Sequence, residues 1–301
     1  MASDFSGTPE LGAVVVGIDA SPQARTAVLW AAAEADRRGR PLHIVHATDT
    51  GRRAILSSAD TIQALRETAR DLLARTADAV RARFPGLSVT KELSRQEPVA
   101  GLYAAAGDRA TIVVGSRGLG GFGALMLGSV GLGVAARAKV PVIVVRGELD
   151  RAETGVITAA VQGPSDLDWL MTAAAEAQVR KATLRLLSVC NVLAHVGSVT
   201  TMLDDIGGIA EQRVREVSVM ADRVRARCPG LTLTHHVETG TSVAGVLVEV
   251  TAHTDLLVMG SRHRVFRAGP ALGRVSHALL HHGHCPVEIV PPEFAMAGDE
   301  P

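Results

Sequence analysis

Lys+Arg and Asp+Glu balance at 31 each along a chain of 301 residues, in which apolar residues make up 47% and aromatics 3%. That balance excludes the basic footprint of a nucleic-acid binder, and one Tyr, two Trp and five Phe leave little for base stacking. The length predicts two domains of about 150 residues each, with aliphatic, Ala-rich cores.

Met1–Glu10 is polar and carries Asp4, so no signal peptide is expected. Apolar, β-branched runs at Ala13–Ile18, Leu42–Ala47, Leu87–Lys91, Thr111–Val114 and Val140–Val145 then predict five strands. Helical patterns over Gln23–Arg38, Ala59–Arg83, Val99–Gly107 and Ser129–Ala138 alternate with them. Arg37-Arg38-Gly39 supplies the basic residues and glycine that helix ends prefer, and Pro85-Gly86 stops the second helix. Continuously apolar strands such as Val14–Val16 and Val142–Val145 suit a parallel sheet covered on both faces. The prediction is an α/β fold: an open five-stranded parallel sheet between helices.

Beyond a charged linker, Glu148–Thr154, the pattern repeats. Strands are expected near Gly155–Ala160, Thr183–Val189, Leu231–Val237, Leu256–Met259 and Val287–Val290, with a solvated, charge-alternating helix over Ile209–Arg227 and an unstructured tail, Pro291–Pro301. The match extends to wording. Val80–Leu87 (VRARFPGL) returns 144 residues on as Val224–Leu231 (VRARCPGL), and Val99-Ala-Gly101 as Val243-Ala-Gly245. Val113–Arg117 (VVGSR) returns 145 residues on as Val258–Arg262 (VMGSR). Solenoid repeats run about 20–50 residues, so this period means two domains of one design, at 11–147 and 155–291. The three cysteines, Cys190, Cys228 and Cys285, offer no disulfide framework and predict free thiols in a reducing compartment. No apolar run reaches the ~18 residues of a membrane span, so a cytoplasmic protein without membrane contact is expected.

Gly115, Gly118, Gly128 and Ser129 follow the fourth strand in the spacing Gly, two residues, Gly, nine residues, Gly-Ser. Glycines leaving a strand let backbone N–H groups converge on an anion, and a helix opening at Ser129 adds its positive end. The stretch reads as a phosphate cradle, with Ser129 as helix N-cap rather than nucleophile, since no base stands near it in sequence. Within it, Gly118–Gly123 matches the dinucleotide fingerprint Gly-x-Gly-x-x-Gly. It follows the wrong strand and lacks an acidic residue about 20 positions on, so a loop over a bound nucleotide is the preferred reading. Arg117 reads equally as a solvated charge or a phosphate ligand. His277, His281, His282, His284 and Cys285 cluster before the last strand; without a carboxylate or thiolate pair at structural spacing, they are expected as partly exposed helix-end residues rather than a metal site.

Three features together resemble the universal stress proteins in their tandem two-domain form, over nearly all of residues 11–291. They are Val16-Gly-Ile-Asp-Ala-Ser-Pro22, His43-Ile-Val-His-Ala47, and the glycine pattern through Ser129 followed by Pro141–Val145. The resemblance implies two flavodoxin-like domains of strand order 3-2-1-4-5, with ATP across the carboxyl ends of strands one and four. It implies that Asp19 holds the ribose or adenine side, with Gly17 and Ile18 giving backbone room. Ala47 would meet the adenine edge, Gly115, Ser116, Arg117 and Gly118 would wrap the ribose and α-phosphate, and Gly128, Ser129 and Val130 would hold the β- and γ-phosphates. Mg²⁺ would bridge the phosphates and keep most of its own waters. Gly131 stands where the family often has a hydroxyl, removing one contact.

The second copy departs further. Val161 replaces Asp19, His263 replaces Gly118 and Arg274 replaces Ser129, while Gly273 is kept. A degenerate nucleotide site is expected there, although Arg262, Arg264, Arg267 and Arg274 leave room for another anion. The expected function is a stress-response regulator in which ATP, or another adenine nucleotide, orders the Gly118–Leu127 loop and changes a surface offered to a protein partner. No catalytic residue is assigned, since nothing in the motif positions an attacking water; hydrolysis is at most slow. The alternatives are a phosphotransferase-type enzyme and a nucleotide-independent scaffold. In the latter the fifth strands pair edge to edge, within the chain or in a homodimer.

Overall fold

The computed structural model describes residues 12–49, 58–116, 118, 127–146, 151–191, 202–261, 264–266 and 269–292. The chain divides into two compact units, Met1–Val145 and Arg146–Pro301.

The first unit runs β1 (Val14–Gly17), α1 (Pro22–Arg37), β2 (Leu42–Ala47), α2 (Ala59–Arg83), β3 (Val89–Ser94), α3 (Pro98–Ala106), β4 (Thr111–Gly115), α4 (Ser129–Ala136) and β5 (Val142–Val145). Its strands are ordered β3-β2-β1-β4-β5 and every pairing is parallel. Val14, Val15 and Val16 are all fully buried, as a sheet covered on both faces requires. α1 starts because Ser21 accepts the Ala24 N–H at 3.1 Å and Pro22 fits the first turn. The helix buries an alanine face, Ala24, Ala27, Ala31 and Ala35, which lets it sit close to the sheet. Its Glu34, also buried, is held by Arg38 Nε at 2.5 Å.

The predicted boundaries hold closely except at β3. Leu87–Lys91 was the expectation, whereas the strand is Val89–Ser94. Hydrophobicity marks the buried Leu87 that precedes the strand; the strand itself is set by residue-for-residue pairing with β2, from Leu42↔Val89 to Ala47↔Ser94. As an edge strand it is mostly half-exposed and carries no strong apolar signal.

The second unit repeats the plan: β6 (Val156–Ala160), α5 (Leu167–Arg180), β7 (Thr183–Asn191), α6 (Met202–Arg227), β8 (Leu233–Gly240), α7 (Val243–Val250), β9 (Leu256–Gly260), α8 (Arg274–His282) and β12 (Val287–Val290). Its order is β8-β7-β6-β9-β12, again all parallel. One addition escaped the sequence pattern: a short antiparallel hairpin, β10 (Arg264–Phe266) with β11 (Gly269–Ala271), between β9 and α8. Three-residue strands are too short for a period-2 signal. α6 begins at Met202, seven residues before the predicted Ile209, running through Gly207-Gly208 despite their poor helix propensity.

The unit's first strand is held by one carboxylate. Asp255, just before β9, accepts the N–H groups of Thr154 (2.6 Å), Gly155 (2.7 Å) and Val156 (3.3 Å) and the Thr154 hydroxyl (2.9 Å). Gly155 adopts φ +71°, a left-handed conformation that glycine allows without strain. Asp255→Ala is expected to cost about 2 kcal/mol, the scale of hydrogen bonds to a charged acceptor. A lower urea midpoint at unchanged m-value is the measurement.

Candidate functional site

In the first unit β1 and β4 lie side by side, Val16 opposite Val113, and their carboxyl ends open at the point where strand order reverses. Two glycines determine what can approach there. A Cβ on Gly115 would stand 2.8 Å from the Gln23 carbonyl oxygen and 3.3 Å from the Ala24 nitrogen, so the first turn of α1 rests on this strand end. A Cβ on Gly118 would stand 2.5 Å from Asp19 Oδ2. The carboxylate therefore lies against the bare backbone of Gly118, while its Oδ1 accepts the Ser21 N–H at 2.9 Å.

The stretch between β4 and α4 is closed at its base, where the Gly128 N–H donates to the Ser116 carbonyl at 2.8 Å. Gly131, one turn into α4, lies against the Gly115 carbonyl, 3.4 Å from its would-be Cβ. The α4 N-terminus is thereby brought to the end of β4. Here the sequence expectation needs correcting: the N-cap is Gly128, and Ser129 is the first helical residue, with an exposed side chain. The Gly128 carbonyl accepts the Leu132 N–H at 3.0 Å, which places the cap one residue earlier than the hydroxyl suggested. No side chain caps this helix, so its first-turn N–H groups remain available to an acceptor.

The other predicted residues surround this point. Gly17 ends β1 with Leu102 of α3 3.1 Å from its would-be Cβ. Ile18 is buried and its N–H continues the ladder to Val45 at 2.9 Å. Ala47 ends β2, half-buried, 3.5 Å from where a Cβ on Gly101 would stand. Val130 is half-buried in the first turn of α4. Arg117 and residues 119–126 lie outside the described residues. One contact had no role in the sequence reading: His46 Nδ1 is 2.8 Å from the Ile18 carbonyl.

The second unit keeps this frame and fills it differently. Val161, expected in place of Asp19, is buried and stands by strand register at the Ile18 position, its N–H donating to the Leu187 carbonyl at 2.9 Å. Gln162 is at the Asp19 position. The acid now stands at Asp166, in a single 3-10 turn (Pro164–Asp166), and accepts the N–H groups of its own loop, Gln162 at 2.6 Å and Gly163 at 3.3 Å. Gly260 corresponds to Gly115, but its would-be Cβ meets the Trp169 indole at 2.5–3.0 Å instead of helix backbone. A buried ring thus lies on this strand end. Gly273 caps α8 without a side-chain bond and Arg274 opens the helix. The comparison of a capping Ser129 with Arg274 therefore falls away, since neither helix has a side-chain cap at this end. Arg262, His263 and Arg267 lie outside the described residues.

At the end of α8, His277 and His281 stack with centroids 4.1 Å apart, and His282 lies 6.2 Å from His281. Among the described residues, no three His, Cys, Asp or Glu side chains are grouped to hold a metal. Burial pushes the Cys285 thiol up to about 12.

The family comparison agrees with the repeat. The universal stress protein family model matches residues 11–146 and again 155–291. Similar full-length relatives include Universal stress protein Rv2624c of Mycobacterium tuberculosis, 26% identical over 290 residues, covering 94% of this chain and 98% of that protein. Universal stress protein Rv2623 of the same organism is 28% identical over 298 residues, covering 94% and 97%. Among solved structures, a universal stress protein from Archaeoglobus fulgidus has the same fold, with TM-score 0.68 at 19% identity, over 93% of this chain and 96% of that one. Fold and site geometry thus define a pair of doubly wound α/β domains, each with a strand-end crevice. The chain belongs to the universal stress protein family.

Two predictions follow from this geometry. Gly115→Ala drives a methyl into backbone that cannot rotate away, and is expected to cost about 1–3 kcal/mol in denaturant unfolding. Burial, followed by the charges of His277, His282 and Arg146, lowers the His281 pKa below its ordinary value. The unfolded chain then binds more protons below about pH 6.5, so this contribution is intact above that pH and is lost as pH falls through the folded value. Urea midpoints at pH 5.0 and 7.5 should differ less in His281→Gln than in the unsubstituted protein.

Proposed function

We propose that the first unit binds an adenine nucleotide, ATP in the simplest case, across the carboxyl ends of β1 and β4, and that the second unit has lost this site. The observation that carries the reading is the Asp19 carboxylate lying directly against Gly118, beside an uncapped α4 N-terminus. A carboxylate there can accept ribose hydroxyls. The first-turn N–H groups of Ser129 and Val130 offer donors to phosphate oxygens, and Gly115, Ser116 and Gly128 give the backbone room for their approach. Arg117, Gly17, Ile18 and Ala47 keep the roles that the resemblance gives them. Mg²⁺ would arrive with the phosphates and keep its water shell, because the described side chains offer it no cluster of carboxylates.

The proposed act is binding: nucleotide occupancy serves as a signal that a protein partner, or a second copy of the chain, reads. Three cysteines that form no disulfide suit a reducing compartment, and we place the protein in the cytoplasm. No helix among the described residues is long and apolar enough to cross a membrane.

Nucleotide released from the purified, denatured protein should be identified by mass spectrometry as an adenine nucleotide, and ATP should raise the melting temperature by mass action. Asp19→Ala should abolish that rise. Gly118→Ala should weaken it while leaving apo stability nearly unchanged, because the methyl displaces only a carboxylate end. An unliganded protein whose melting ignores ATP overturns the reading. So does multiple-turnover hydrolysis at about 10 s⁻¹ or faster that is lost in Asp19→Ala.

A further inference from the structure

We propose that His46 is the positioning residue for ribose recognition in the first unit, acting through the peptide that carries Asp19. This assignment rests on the nucleotide reading above and names what sets its selectivity. Ile18 lies one residue beyond β1, yet β2 grips it at both ends. Its N–H donates to the Val45 carbonyl at 2.9 Å, and its carbonyl lies 2.8 Å from His46 Nδ1. A carbonyl only accepts, so Nδ1 carries the proton. The Ile18 carbonyl belongs to the same planar unit as the Asp19 nitrogen, and fixing one fixes the direction in which the Asp19 side chain leaves the chain.

That direction matters because the carboxylate has little room. Oδ1 is committed to the Ser21 N–H at 2.9 Å, and Oδ2 stands within 2.5 Å of the space that a Cβ on Gly118 would take. A modest rotation of the 18–19 peptide would release one contact or drive the carboxylate into the other strand's glycine.

The second unit supplies an internal control. Val14 pairs with Leu42 and Thr111 in the first unit, as Ile157 pairs with Leu184 and Leu256 in the second. Counting four residues on along each second strand, from Leu42 and from Leu184, puts Ser188 at the His46 position. Counting five residues on along each first strand, from Val14 and from Ile157, puts Gln162 at the Asp19 position, and Ser188 is buried. The imidazole and the carboxylate have been replaced together, while the ladder bond that Ile18 makes to Val45 is kept by Val161 N–H to the Leu187 carbonyl at 2.9 Å. A histidine needed only to hold β1 to β2 would not have to disappear with the acid. One needed to aim the acid has no further use.

The test uses full-length protein, titrated calorimetrically with ATP and with 2′-deoxy-ATP, in the unsubstituted form, His46→Leu and His46→Asn. Apo melting curves establish that each is folded. The unsubstituted protein should prefer ATP. His46→Leu should lose about tenfold in ATP affinity, the equivalent of one hydrogen bond, with little change for the deoxy nucleotide, so that the preference collapses. His46→Asn keeps an N–H near the Nδ1 position and should restore most of it. An ATP to deoxy-ATP ratio equal in His46→Leu and the unsubstituted protein overturns the assignment, as does an Asn variant no better than Leu. If the unsubstituted protein binds neither nucleotide, the nucleotide reading fails first and this assignment with it.

Discussion

Everything in the first unit is arranged around one close backbone approach. Gly115, at the end of β4, carries the first turn of α1 at a distance that leaves no space for a methyl, and its carbonyl lies against Gly131 in the first turn of α4. Two helix N-termini are thereby drawn to the same strand end. A parallel sheet alone would leave its carboxyl ends facing loops of arbitrary course; the missing side chain turns them into a defined crevice. Asp19 and Gly118 then meet across it because the strands that deliver them are neighbours. The alanine face of α1 serves the same end, since bulkier residues there would lift the helix from the sheet.

Much of this was legible in the chain. Continuous β-branched runs, alternating helical stretches and the internal repeat gave the α/β class and nearly every element, while the strand order came as what the resemblance to the universal stress proteins implies. The glycine spacing drew attention to the residues that meet at the crevice. What escaped has identifiable causes. The register of β3 depends on its partner, not on its own hydrophobicity. The hairpin Arg264–Ala271 is too short to leave a period. Ser129 looked like a cap because hydroxyls favour that position, but the backbone at Gly128 took it, and a glycine's preference for a cap is weaker and less visible. The bond from His46 to Ile18 is a long-range contact between two strand ends, which no local pattern announces.

The two units show how a frame can persist while its contents change. Strand order, parallel pairing, the glycine that ends the fourth strand and the glycine that caps the next helix are common to both. Yet Thr158 and Arg185 occupy the paired positions that hold Val15 and His43 in the first unit. The guanidinium there donates to the Thr158 hydroxyl at 2.8 Å and to Thr254 at 2.7 Å. Burial lowers the Arg185 pKa, and hydroxyl partners compensate part of the cost of desolvating it. At the crevice, a carboxylate that faces the opposite strand in one unit is turned in the other upon the amides of its own loop.

Scarcity of aromatic residues gives Trp169 a further significance. The chain has two indoles, one in each unit: Trp30, half-buried on α1, and Trp169, buried against Gly260 with no acceptor for its Nε1–H among the described residues. An indole in so apolar and donor-frustrated a setting emits at short wavelength and moves sharply to the red once water reaches it. Each half of the molecule therefore carries its own intrinsic fluorophore, and the loosening of one half can be followed by light while the other stays folded.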